Sequence, residues 1–419
     1  MTSHGLKRQL GLSSAILLGL GSILGTGVFV SLGLAVGVAG DWAIAALGLA
    51  TMLAVMNALS SAQLAANHPV SGGTYAYGYH YLRPEFGFVA GLSFLLAKSA
   101  SAAAAAIGLV SYLAALSGVE GAPVNLLAGL VVLVMTGLVA AGLRRATLLN
   151  GLLVSISIVS LLALIIVAGR HDGFLSDYHT ADWGRIKPPR LFEAAALLFV
   201  AFTGYGRIAT LGEEVIAPRR TIPRAIIVTL LVTSGLYLGV LLSGLSVLGA
   251  DRFSESLYTN AAPLQAIALA LEVPILRVAI IIAAATAMAG VLLNLILGLS
   301  RVAFAMGRQG DAPSAIGRLS GNEPLLATLL VGGGIALIAL FGGLAMVWSF
   351  SAFTVLIYYA ITNLAALQLG ASERLYPRII SVVGLLGCLG LSIWIEHEVI
   401  LLGGGILLFG LLIRMILKR

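Results

Sequence analysis

Long apolar stretches joined by short polar segments run through the whole chain. LLVSISIVSLLALIIVAG (152–169) and LLATLLVGGGIALIALFGGLAMVW (325–348) are two of them. They show neither the strict alternation of a half-buried strand nor the single apolar stripe of a helix lying on a water-soluble core. A helix crossing a bilayer needs about 20 apolar residues. On that length the hydropathy places about twelve spans, near 12–38, 42–66, 86–116, 122–142, 147–169, 191–215, 223–248, 275–306, 323–342, 345–370, 378–395 and 398–416. Lipid gives the backbone no hydrogen-bond partner, so each span is a helix or part of a closed barrel. Barrel strands are short and alternating, which these runs are not. The pattern predicts an all-α polytopic membrane protein with no soluble domain between its spans. The longest connections are 170–190 and 250–274, and AAPLQAIALALEV in the second has the spacing of an interfacial helix over the outer mouth.

Composition agrees. Hydrophobic residues make up 59% of the 419 and charged residues 10%, where a soluble domain carries about a quarter charged. The net charge of +7 points to no nucleic acid, because the basic residues sit in short loops. Those loops orient the chain. With the N-terminus in the cytoplasm, sixteen Lys and Arg fall inside, five outside, and Lys98, Arg207 and Arg277 lie in or at the ends of spans. The bias predicts an integral protein of the plasma or inner membrane with both termini cytoplasmic. The first apolar run continues to about Gly40 with no small-residue cleavage site, so it reads as a retained span. Cys388 is the one cysteine, so no internal disulfide forms.

Two spans are interrupted. The first, LLGLGSILGTGVFV, holds Gly19, Gly21, Gly25 and Gly27 with Ser22 and Thr26 between them. By itself this fits close helix packing or an unwound segment equally. The sixth, LLFVAFTGYGRIATLGEEVIAP, holds Thr203, Gly204, Tyr205, Gly206 and Arg207 at a corresponding place, about 180 residues on. Breaks at matching positions of two halves point to a transporter site at mid-membrane. Freed N–H groups suit a carboxylate and freed carbonyls suit an ammonium, and an α-amino acid carries both.

Four stretches resemble the amino acid–polyamine–organocation superfamily: GSILGTGVF (21–29), PVSGGTYAYGY (69–79), FVAFTGYGRIATLGEEVIAPRRTIPRAI (199–226) and LSRVAFAMGRQGDAP (299–313), the last with its Gly and Asp order altered. The resemblance covers essentially the whole chain. It implies a LeuT-like fold: one transmembrane domain over 1–419, with inverted five-helix repeats at about 12–169 and 191–370 and two additional helices at about 378–416. It implies a substrate site in which the carboxylate meets amides of Leu24, Gly25, Thr26 and Gly27. The ammonium then meets carbonyls near Ser22, Ile23, Phe202, Thr203, Gly204 and Tyr205, with Phe202 as a lid. Two positions depart from the family pattern. Gly206 stands where carriers of cationic substrates often have an acid, and Ser157 stands where many members have a lysine, seven residues after Asn150.

Lys98, Ser157, Arg207, Glu213 and Glu214 are the gating or coupling candidates. Arg207 either faces the substrate or pairs with Glu213 or Glu214. The two glutamates fit an inner-gate ion pair with the Pro218, Arg219 and Arg220 loop better than proton carriage. Lys98, in LLAKSASAAAAAIG, either titrates during transport, neutralises a substrate carboxylate, or is a fixed hydrogen-bond donor. Ser157, Thr286 and Asn294 read as helix–helix bonds, or with the first break as sodium ligands. His68, His80 and His171 have no metal-ligand spacing. No catalytic residue, metal site or organic cofactor is expected; proton or sodium coupling stays open. No GxxxxGK[ST] loop points to ATP, and no HExxH or GxSxG motif to a membrane enzyme. The expected function is secondary transport of an amino acid, neutral before acidic and cationic disfavoured, with an exchanger or a transporter-like sensor as alternatives.

Overall fold

The computed structural model describes residues 10–69, 72–117, 121–142, 147–171, 187–209, 215–259, 262–321 and 323–417. Within them the regular structure is helical, and strand-like pairing is confined to the isolated bridges Leu10–Val215 and Ser320–Glu323. The helices are α1 (Leu12–Ile23), α2 (Leu32–Ala39), α3 (Ala43–Asn67), α4 (Thr74–Tyr81), α5 (Pro84–Ser117), α6 (Val124–Ala140), α7 (Thr147–Ala168), α8 (Pro188–Phe202), α9 (Gly206–Ala209), α10 (Pro218–Thr259), α11 (Pro263–Ala270), α12 (Pro274–Arg308), α13 (Leu325–Phe341), α14 (Leu344–Leu367), α15 (Arg378–Ser392) and α16 (His397–Leu417).

Eight helical segments among the described residues are long and apolar enough to cross a membrane. The first, Leu12–Asn67, is 56 residues long and joins α1, α2 and α3. α6, α13 and α15 are apolar but shorter. The protein is therefore a polytopic α-helical membrane protein, and a helix lies on every stretch that the hydropathy marked.

The solvent it is built for shows in which side chains face out. Phe341 is 83% exposed and Ile275 80%, while Asn57, Ser351, Thr362 and Asn363 are fully buried. In water so much outward apolar surface would aggregate; in lipid it is the solvated face. Inside, polar groups bind helix to helix. Asn363 Nδ2 donates to Asn57 Oδ1, joining α14 to α3, and the Cys388 thiol of α15 donates to the same oxygen at 3.3 Å. Ser60 and Ser381 meet at 2.9 Å, and Ser101 and Ser351 at 2.8 Å. The alanines at 100–106 in α5 are nearly all fully buried, and their small side chains let α12 and α14 pack closely against it.

Two details differ from the sequence reading. α10 contains a non-helical residue, Gly249 (φ 73°, ψ 167°), so its last residues turn away as a separate helical piece. The predicted interfacial helix forms as α11, but Leu264, Ile267 and Ala268 are buried against the bundle, and the Leu264 N–H donates to the Tyr112 hydroxyl at 3.2 Å. It is a packed plug with one face outward, Leu269 being 58% exposed.

Where α12 and α16 end, a polar clamp closes one side of the bundle. Arg414 Nε donates to Asp311 Oδ1 at 2.8 Å; both side chains are buried, 6% and 0% exposed. Tyr75 of α4 lies 2.8 Å from Asp311 Oδ2, Tyr79 also donates to Asp311, and Arg414 donates to the Tyr79 hydroxyl at 3.0 Å. Burial, then the bond to Asp311, pushes the Tyr79 hydroxyl up to about 12, so it stays a protonated donor.

Candidate functional site

α1 stops at Ile23 because Leu24 adopts extended backbone (φ −74°, ψ 94°). The chain resumes at Gly27 as a π-helical turn, Gly27–Ser31, that runs into α2. The break therefore spans 24–26, within the predicted glycine cluster. The second interruption is milder than an unwound segment. α8 ends at Phe202, Thr203–Tyr205 tightens into a 3₁₀ turn, and α9 resumes at Gly206. A 3₁₀ turn shifts the hydrogen-bond register and tilts carbonyls outward without fully releasing the backbone.

The two interruptions touch. A methyl placed on Gly204 would lie 2.3 Å from the Ser22 carbonyl oxygen and 2.7 Å from Ile23 Cγ1. On the far side from α5, the Tyr237 hydroxyl lies 3.2 Å from the Ile23 carbonyl and 3.1 Å from that of Ala201. On the near side, the Tyr359 hydroxyl donates to the Thr203 carbonyl at 3.3 Å. Two of the carbonyls expected to hold an ammonium, those of Ile23 and Thr203, thus already accept tyrosine bonds.

A cavity of about 240 Å³ opens beside this junction, and a smaller chamber of about 50 Å³ lies against the breaks. Ser22, Lys98, Thr203, Gly204, Val291 and Leu295 line both. Lys98 Nζ donates to Thr203 Oγ1 at 2.7 Å, and that hydroxyl donates to the Val200 carbonyl at 2.7 Å. Arg207, Arg301, Tyr75, Phe94, Asn294, Tyr358 and Tyr359 complete the larger cavity's character: cationic and aromatic, with no carboxylate among the described lining residues. Ile23, Thr26, Gly27, Ser101 and Trp348 line the chamber. The Thr26 hydroxyl there is 4% exposed and has no hydrogen-bond partner. A third hollow of about 300 Å³, bounded by Leu49, Met52, Phe192 and Trp394, is almost wholly apolar and offers little to orient a polar solute.

The predicted residues divide clearly. Ser22, Ile23, Thr26, Gly27, Lys98, Thr203, Gly204 and Arg207 line one hollow or both. Leu24 is buried, and Gly25 packs on Val291. Phe202 is fully buried against Tyr237, ring centroids 5.1 Å apart, so here its ring does not cover the cavity. Tyr205 is fully buried too, 5.5 Å from the Tyr359 ring. Ser157 donates to Leu153 of its own helix at 3.0 Å, and Thr286 likewise to Ile282. Glu213 and Glu214 lie outside the described residues. The sequence reading passed over Tyr75, Tyr237, Arg301, Tyr358 and Tyr359. The adjacent hydroxyls of Tyr358 and Tyr359 inside apolar α14 were the signal for part of this set.

A family model described as amino acid permease matches residues 14–413. The chain belongs to the amino acid permease family. An uncharacterized transporter of Mycobacterium tuberculosis is 38% identical to this permease over 409 residues, covering 96% of the permease and 89% of the relative. The branched-chain amino acid permease BcaP of Bacillus subtilis is 28% identical, over 78% and 73% of the two chains. Cationic amino acid transporter 9, chloroplastic, of Arabidopsis thaliana is 30% identical, over 76% of the permease and 58% of the relative. Family and architecture make the protein an amino acid transporter of the membrane.

Proposed function

We propose that the permease is a secondary active transporter that carries a neutral α-amino acid by alternating access around its two interrupted helices. In this reading it has twelve crossings: inverted repeats at about 12–169 and 191–370, then α15 and α16, with both termini cytoplasmic. Substrate occupies the cavity beside the junction of the breaks. Its carboxylate faces the N–H groups at 25–27, at the start of the resumed helix, the Leu24 N–H being held by the Leu20 carbonyl at 2.8 Å. Its ammonium faces the remaining carbonyl lone pairs around Ser22 and at 202–205. The Tyr75, Asp311 and Arg414 clamp lies on the cytoplasmic side.

The observation that carries this reading is the contact of Gly204 with Ser22 at the head of a cavity that holds Lys98, Arg207 and Arg301 and no described carboxylate. Like charge in a low-dielectric pocket opposes a cationic side chain. Relatives are named for branched-chain and for cationic amino acids; the positive charge of this cavity opposes the cationic class, and its Phe94, Val291 and Leu295 walls suit an apolar side chain. The test is uptake into proteoliposomes of a panel of neutral, acidic and basic amino acids, with and without imposed proton and sodium gradients and with counter-substrate inside. Neutral amino acids accumulating first is the expected result. Strong arginine or lysine uptake overturns the assignment, and the gradient arms separate proton coupling, sodium coupling and exchange.

A further inference from the structure

We infer that Lys98 is the counter-ion of the substrate carboxylate, which enters the small chamber at the breaks and takes the lysine from Thr203. The inference rests on the transport reading above and adds to it a residue that sets specificity.

The ammonium of Lys98 has three hydrogens. One is engaged, by Thr203 Oγ1. No carboxylate lines either hollow among the described residues, so this cation lacks a protein counter-charge there. A cation held in such a place is stable when an anion arrives with each working cycle. The chamber is the place for that anion. Its volume of about 50 Å³ accommodates a carboxylate. Besides Lys98 it presents the Thr26 hydroxyl, buried and without a partner. Thr26 and Lys98 come from different elements, the first break and α5. A carboxylate between them accepts from both, and the aliphatic or aromatic remainder extends into the larger cavity along Val291, Leu295 and Phe94.

Lys98 lines the chamber and the cavity alike, so its bond to Thr203 stands at the passage between them. Exchange of the neutral Thr203 acceptor for a charged one makes a stronger hydrogen bond and opens that passage only for a solute with a free carboxylate. Selection therefore rests on the acid group more than on the ammonium.

The test uses purified full-length protein and two probe sets: leucine, leucinamide and 4-methylpentanoate, then phenylalanine, phenylalaninamide and 3-phenylpropanoate. Each is read as a competitor of uptake and as a shift in the melting of the detergent-solubilised protein. In the wild type the des-amino acids compete and the amides are at least tenfold weaker. In Lys98→Met the KM of the amino acid rises at least tenfold while the amide's inhibition changes less than threefold, and Lys98→Arg restores part of the loss. Thr203→Val, which removes the latch partner but keeps the ammonium, retains the acid-over-amide preference whatever happens to KM. Amides that compete as well as the acids in the wild type overturn the proposal without any variant. So does a Thr203→Val protein that loses the acid-over-amide preference as Lys98→Met does, since the lysine is then only a latch. Wild-type protein that neither accumulates nor binds any of the six probes sinks the neutral amino acid reading itself, a result distinct from loss of acid-over-amide selection alone.

Discussion

Gly204→Ala tests whether the contact between the two breaks matters. Backbone conformation does not exclude alanine there, because the 3₁₀ turn at Thr203–Tyr205 keeps right-handed angles at its flanks. Space does. The added methyl would sit 2.3 Å from the Ser22 oxygen and 2.5 Å from its carbonyl carbon, against 3.4 Å for an ordinary contact. The neighbours are backbone atoms and cannot rotate away, so the breaks must part by roughly 1 Å. Overpacking of this kind costs typically about 1–3 kcal/mol. At about 2 kcal/mol, the conformation in which the breaks touch loses roughly thirtyfold in population against others. Uptake into proteoliposomes is the assay, at matched incorporation and with melting measured in detergent. Gly235→Ala is the control, since a methyl there meets nothing within 4 Å and reports helix propensity alone. The expectation is a turnover at least tenfold lower in Gly204→Ala and unchanged in Gly235→Ala. Wild-type KM and turnover in Gly204→Ala would refute the idea that apposed breaks form the working site.

Asp311→Ala leaves Arg414 buried without its close acceptor. Glu85, 3.8 Å away and half exposed, compensates little, so a loss of about 3 kcal/mol is expected, read as a fall in melting temperature that Arg414→Met combined with Asp311→Leu partly reverses. Tyr359→Phe removes one donor from the Thr203 carbonyl and is expected to cost about 1 kcal/mol, with uptake slowed more than stability; equal effects on both would count against a role at the site. His68 stacks on His80 at 4.1 Å, and burial first, then His80, lowers its pKa below the ordinary value of 6.5. Because the unfolded chain binds that proton more readily, stability is fully present above about pH 6.5 and declines as pH falls below it; His68→Phe should flatten the melting-against-pH curve below about pH 6.5.

The breaks were legible because their signals are local: glycines and a charged residue inside apolar runs stand out in a one-dimensional reading. The ring directions of Phe202 and Tyr205 were not. Which way a side chain points from a 3₁₀ turn depends on the neighbours it packs against, here Tyr237 and Tyr359, which come from far along the chain. The tyrosines of α14 and α10 were passed over for a related reason, since aromatic residues in an apolar helix look like core until their hydroxyls are seen reaching carbonyls. Arg414 was counted only as a basic residue at a helix end. Its burial against Asp311, 103 residues earlier, is a tertiary fact that no loop count contains. Lys98 was visible as a charge in a span, but its partner in the 3₁₀ turn after α8 was not.

Tyr237 has one hydroxyl hydrogen and two carbonyls within reach, one on each interrupted helix. The proton is divided between them, and a shift of either peptide hands the whole bond to the other. α1 and α8 are thereby tied to α10 through a single atom. One phenol thus joins the two interrupted helices.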